Sequence, residues 1–295
     1  MKNVLFFTIY ILFFAVLSSL IFSLLYMQFD EQPILALNKA IKYGAILLCA
    51  IFIVPTLKIK SLYNKQILGY LEPKSEFIHN IVKGFYLSLI LLLPLLLLFN
   101  LTGIRNINTD IDIFNIYFLY SLLFALFISF IISIIEESFF RGILIQKNKN
   151  RKVSLTINII LFSSLIYSLF HFIKIPLIIE DEILWSTGLN ELFAVFFNFH
   201  KLVLIDSAVT LLIFGIFLGV IRTYYNTISY GIGIHAGFVF TIKIYKQNSL
   251  VNFESDYNFL LSSYDHFTGH LATAWIATLL FIYIIYLYKK NRSNP

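Results

Sequence analysis

Ile134-Ile135-Glu136-Glu137-Ser138-Phe139-Phe140-Arg141-Gly142 closes an apolar run that begins at residue 114. Residues 114–135 are long enough to cross a bilayer, for which about 20 apolar residues suffice. A charged residue at the centre of a membrane helix costs roughly 2.5–3.5 kcal/mol on insertion scales. Two carboxylates and a guanidinium kept together there imply an offsetting role. The reading that follows is that the rest of the chain holds this cluster, with one or two histidines opposite, in a water-accessible pocket inside the membrane.

Residues four apart on a helix share a face. Ser129, Ser133, Glu137 and Arg141 therefore form one polar stripe, and Glu137 and Arg141 are spaced for an ion pair. Glu136 points about 100° away. Arg141 then neutralises Glu137 and fixes the helix, while Glu136 is left to act on something else. A carboxylate in a low-dielectric pocket suits a general base working near neutrality. A purely structural salt bridge would explain Glu137 and Arg141 but leave Glu136 without a role.

The composition agrees with a membrane setting. Apolar residues make up 59% of the chain and charged residues 13%, against about 25% in soluble domains. The mean hydropathy is +0.84. The net charge of +6 is scattered between apolar runs and marks orientation, which argues against nucleic-acid binding. The single cysteine, Cys49, lies in an apolar run, so it is read as a small core residue, with no disulfide and no paired-cysteine zinc site.

Further apolar runs cover residues 4–27, 34–57, 81–101, 153–172, 202–221, 226–245 and 270–288. With 114–135 they make an all-α, polytopic membrane protein of about eight transmembrane helices, the cluster falling on spans four, five and seven. Residues 1–295 form one integral membrane domain: N-terminal spans and an amphipathic link to 113, a core over 114–245, and an outer loop and last span over 246–295. The link, 58–83, is read as lying on the membrane surface. Lys2, then Lys58, Lys60, Lys65, Lys74 and Lys83, then Lys147, Lys149, Arg151 and Lys152, then Arg222, then Lys289, Lys290 and Arg292 fall on one side. By the positive-inside rule that side is cytoplasmic, with both termini on it. The connection 174–200 is acidic and aromatic, with Glu180, Asp181, Glu182, Trp185 and Glu191. Gly215-x-x-x-Gly219 favours close helix packing in span six.

His171 ends span five, with Ser164, Tyr167 and Ser168 on roughly the same side. His235 sits in Gly231-x-Gly233-x-His235-Ala236-Gly237, where small residues allow close backbone approach. With Glu136 they supply one base and two imidazoles. Two chemistries use them. Glu136 and His171 can hold and deprotonate a water while His235 donates to the oxyanion. Alternatively Glu136, Glu137, His171 and His235 ligate zinc, and metal-bound water attacks. No His-Glu-x-x-His and no Gly-x-Ser-x-Gly is present. Tyr264-Asp265 has no matching second aspartate motif; Ser263-Tyr264-Asp265-His266 is a candidate for admitting substrate. By helical rise Glu136 lies about 16 Å from Lys147, and His171 almost twice that from Lys152, which sets the two at different depths.

Glu136-Glu137-x-x-x-Arg141, then Tyr167-x-x-x-His171, then His235 in a later span resembles the CAAX-protease and bacteriocin-processing (CPBP, or Abi) family, which includes the type II CAAX prenyl endopeptidases. The resemblance covers roughly residues 114–244. It implies an eight-helix intramembrane endopeptidase of the glutamate type in a bacterial cytoplasmic membrane. Glu136 would activate water alongside His171, with His235 at the oxyanion site and Glu137 and Arg141 in support. No cofactor is implied, zinc being the alternative; the partners would be the bilayer and a membrane-associated protein or peptide substrate. Two positions depart from the family's pattern. Tyr167 stands where phenylalanine is usual, and Val239 where asparagine is usual. Valine cannot donate a hydrogen bond, and losing one oxyanion donor can cost ~10²–10³ in rate. Asn226, Tyr167 or a backbone amide are the candidates to replace it. The rival readings are a non-catalytic immunity or partner-regulating homologue, which Val239 favours, and a proton-coupled transporter, which the lack of internal repeats disfavours.

Overall fold

The computed structural model describes residues 2–29, 35–108, 115–146, 153–173, 175–178, 182–197 and 205–293. The basic turn at Lys147, Lys149, Arg151 and Lys152, and also Lys174, Glu180, Asp181, His200 and Lys201, lie outside them. The chain divides into two compact units, Met1–Asn64 with Leu169–Lys201 and Lys65–Ser168 with Leu202–Pro295.

The first unit contains α1 (Lys2–Tyr26), α2 (Leu37–Ile59) and α7 (Thr187–Phe197). α1 and α2 run antiparallel: the Tyr10 hydroxyl donates to the Cys49 carbonyl at 2.8 Å and Ser18 to the Ile41 carbonyl at 2.7 Å. Cys49 is half-buried, not the enclosed core residue expected. α7 is held at its first turn, where the Gly188 amide donates to Ser23 at 3.0 Å. Tyr26, Leu37, Ala40, Ile41 and Ile178 form the core of this unit.

The second unit holds the single turn α3 (Lys65–Leu68), α4 (Lys74–Leu101), α5 (Ile116–Glu137), a π-helical segment (Ser138–Ile143), most of α6 (Val153–Phe170), α8 (Ile205–Tyr225), α9 (Ser229–Gln247) and α10 (His270–Ser293). The last ten residues of the 58–83 link, 74–83, are the start of α4. Among the described residues, seven helices are long and apolar enough to span a membrane. The seventh span of the sequence reading corresponds to α9, which falls short because Ser229, His235, Thr241, Lys243 and Lys246 dilute its apolar residues. Every residue from Gly231 to Phe238 is nevertheless buried.

That burial comes from backbone proximity. α9 packs on α4 and α5. A Cβ at Gly233 would overlap the Ile81 carbonyl oxygen, and one at Gly84 would lie 2.7 Å from the Tyr230 carbonyl. α4 and α9 thus touch main chain to main chain, the use of small residues that lipid-embedded helices favour. Gly215 and Gly219 let α8 approach α6 closely, meeting Ser164 and the Ile160 side chain.

Three smaller devices complete this unit. Glu72 accepts from Asn80 at 2.9 Å, Thr227 at 2.7 Å and Ser229 at 2.8 Å, fastening the link to the first turn of α9. A two-stranded antiparallel ribbon, absent from the sequence reading, pairs β1 (Arg105–Ile107) with β2 (Ser249–Val251). Arg105 is buried beneath it and donates to Ser249 and to the His266 carbonyl; burial lowers its pKa from the usual guanidinium value. Asp265 accepts from the amides of Phe267 and Thr268 and from the Thr268 hydroxyl, which makes it a loop cap. Replacing Gly233 by alanine is expected to cost about 3 kcal/mol or more, through overpacking against backbone that cannot move aside. The thermal midpoint in detergent reports it; an unchanged midpoint would mean that α4 and α9 do not touch.

Candidate active site

α5 presents Ser129, Ser133 and Glu137 on one fully buried face. The helix then widens: the Leu144 amide bonds to the Phe139 carbonyl, five residues back, at 3.1 Å. A π segment of this kind frees carbonyls from the helical ladder and is common at functional sites. Two of these carbonyls are taken up by side chains from neighbouring helices. Ser163 of α6 donates to the Phe140 carbonyl at 2.9 Å, and Arg222 of α8 donates to that of Arg141 at 3.1 Å. Arg222 also reaches the Ile67 carbonyl at 3.0 Å and is only 2% exposed. The sequence reading had counted it among the charges at the cytoplasmic surface; it is an internal tie.

Arg141, carried on the widened turn, lies 3.3 Å from Glu137, as the four-residue spacing requires. It donates to the Gly215 carbonyl at 3.2 Å and stacks against the Tyr167 ring at 4.5 Å. Glu137 also accepts from His235 Nδ1 at 3.1 Å. Its second oxygen faces Gly231, where a Cβ would come within 2.9 Å. The glycine therefore makes room for the carboxylate. Glu137 is wholly enclosed, so it is an ion-paired anchor that aims the imidazole.

Glu136 differs from its neighbour in surroundings. Its side chain is 24% exposed, and Oε2 lies 3.8 Å from His235 Nε2. That separation is too long for a hydrogen bond and suits two groups sharing a water. The same Nε2 is 3.5 Å from the Tyr167 hydroxyl, and Phe214 closes the imidazole edge-on at 5.6 Å. Below the cluster, Tyr70 bonds to Ser138 Oγ; burial raises its pKa above the usual phenol value, with the Ser138 bond opposing.

Of the expected residues, Glu136, Glu137, Arg141 and His235 converge. His171 is half-buried in the turn that follows α6 and belongs to the first unit. The helix reaches the cluster at Ser163 and Tyr167, some 15–21 Å from its start by helical rise. The level at which α6 meets the glutamates is thus that of Tyr167. Ser163, Arg222, Phe214 and Tyr70 were not found from sequence. None belongs to a spaced motif, and a lone arginine near a helix end reads as an orientation signal.

A zinc site needs three or more protein ligands. Among the described residues no three His, Cys, Asp or Glu side chains are so grouped. Glu137, one of the four proposed ligands, already holds Arg141 and His235. These residues do not fit a zinc ion, and no step below passes through one.

The two glutamates should respond differently to neutralisation. Glu137→Gln leaves Arg141 buried without its counter-charge and should lose about 3–5 kcal/mol of stability. Glu136→Gln, at a partly exposed position, should lose less than about 1 kcal/mol. Thermal unfolding of the two variants side by side checks the contrast.

Residues 118–241 match the family model described as type II CAAX prenyl endopeptidase Rce1-like. Comparison with curated proteins and with solved structures gave no match. The matched stretch contains Glu136, Glu137, Arg141, Tyr167 and His235, the whole of the cluster. Over this stretch the chain, an integral membrane protein, is similar to the CAAX-protease (CPBP) family.

Proposed function

We propose that the protein is an intramembrane endopeptidase in which Glu136 is the general base for an attacking water. The observation that carries this reading is the unequal treatment of two adjacent carboxylates. Glu137 is enclosed and bound by Arg141 and His235, whereas Glu136 is partly open and faces the other nitrogen of the same imidazole. A water between Glu136 and His235 loses its proton to the carboxylate and attacks the scissile carbonyl. The imidazole, oriented by Glu137, faces the oxygen on which charge develops. Arg141 offsets the Glu137 charge, so the anchor does not draw protons away from the base.

The substrate is a membrane-associated protein or peptide, cleaved close to the membrane surface. The family match names prenyl endopeptidases, and a prenylated C-terminus is one such substrate. Metal-independence, a bacterial cytoplasmic membrane and cytoplasmic termini complete the proposal.

Glu136→Gln is expected to reduce cleavage by about 10²–10⁴, the usual contribution of a positioned general base. Protein termini in membranes from cells carrying wild type or Glu136→Gln at matched levels give the comparison. Termini formed only with wild type identify the substrate; identical sets of termini would favour a non-catalytic homologue. Incubation with a zinc chelator should leave the cleavage rate unchanged, and a loss restored by added zinc would overturn metal-independence.

A further inference from the structure

Packing does not explain the Tyr167 hydroxyl. The ring lies edge-on to Phe140 at 5.2 Å, stacks on Arg141 and is 1% exposed, all of which phenylalanine would satisfy. The hydroxyl brings a further polar atom into a buried cluster, which is unfavourable unless the atom is hydrogen-bonded. It also points at the reacting groups: it is 3.5 Å from His235 Nε2, whose distance to Glu136 Oε2 is 3.8 Å. We propose that Tyr167 is a catalytic residue whose hydroxyl, beside His235, donates a hydrogen bond to the oxyanion of the tetrahedral intermediate. This rests on the endopeptidase reading above.

An oxyanion is stabilised by donors about 2.7–3.1 Å from it. The Tyr167 hydroxyl and Nε2 are 3.5 Å apart, so an oxygen set between them faces the imidazole and accepts from the hydroxyl. The other side chains that sequence offered do not serve. Asn226 is exposed in the turn ahead of α9, and Val239, one turn past His235, carries no donor. The chemistry balances without an added reactant. Glu136 takes a proton from water, the water oxygen bonds to the carbonyl carbon, and the carbonyl π pair moves onto oxygen. Tyr167 keeps its proton and donates only a hydrogen bond. On collapse the electron pair returns, the C–N bond breaks, and Glu136 passes its proton to the leaving nitrogen.

The test uses wild type, Glu136→Gln, Tyr167→Phe and the double variant Tyr167→Phe/Val239→Asn. Membrane termini from cells carrying wild type or Glu136→Gln come first. A peptide spanning a cleaved site is then assayed with each purified full-length protein in phosphatidylcholine vesicles. Tyr167→Phe should lower kcat by about 10²–10³, leave KM within about twofold and keep the thermal midpoint. Adding Val239→Asn, which places an amide on the His235 face, should recover about tenfold or more. Near-wild-type kcat for Tyr167→Phe alongside an inactive Glu136→Gln overturns the role of Tyr167 and leaves the endopeptidase standing. So does a loss shared between KM and thermal midpoint without rescue, which would make Tyr167 a packing residue. Identical termini for wild type and Glu136→Gln overturn the endopeptidase reading and this proposal with it.

Discussion

An ion pair in a low-dielectric interior sets the terms for the second unit. Glu137 and Arg141, both essentially sealed from solvent, are tolerable there only because each compensates the other and polar groups surround them. Nearly everything around them follows from that requirement. Gly231 clears space for the second carboxylate oxygen, the Gly215 carbonyl and the Tyr167 ring receive the guanidinium, and His235 shares with Arg141 the first. The pair is a foundation; the chemistry proposed here belongs to the carboxylate beside it.

The π segment is what lets one helix do both jobs. A regular α-helix through Arg141 would keep its carbonyls in the ladder and give α6 and α8 nothing to bind. By widening, the backbone offers carbonyls that Ser163 and Arg222 satisfy. Two neighbouring helices are thereby registered against the glutamates by directional bonds, in a setting where apolar contact alone discriminates poorly between helix–helix and helix–lipid contacts.

Much of this was legible in the sequence, because the signals were of the kind that periodicity carries. The buried stripe Ser129-Ser133-Glu137, the Glu137–Arg141 pair and the glycines around His235 all follow from counting along a helix. What stayed hidden depends on encounters between distant segments or on backbone geometry without a composition signal. Arg222 reads as a surface charge until Arg141 and Ile67 offer it carbonyls. The widened turn at Ser138–Ile143 has no spacing signature, and Arg105 gives no hint of the ribbon it underpins. Helix α9 passed as a span by its length, although its hydropathy is low.

That low hydropathy bears on biogenesis. A segment carrying His235, Lys243 and Lys246 among three glycines and one alanine gains little from lipid by itself. Its partition into the membrane is stabilised by α4 and α5, which are synthesised earlier and supply the surfaces its glycines fit. Insertion of α9 and completion of the polar cluster are therefore one event. A nascent chain whose α4 and α5 are not in place lacks the surfaces that the glycines of α9 fit.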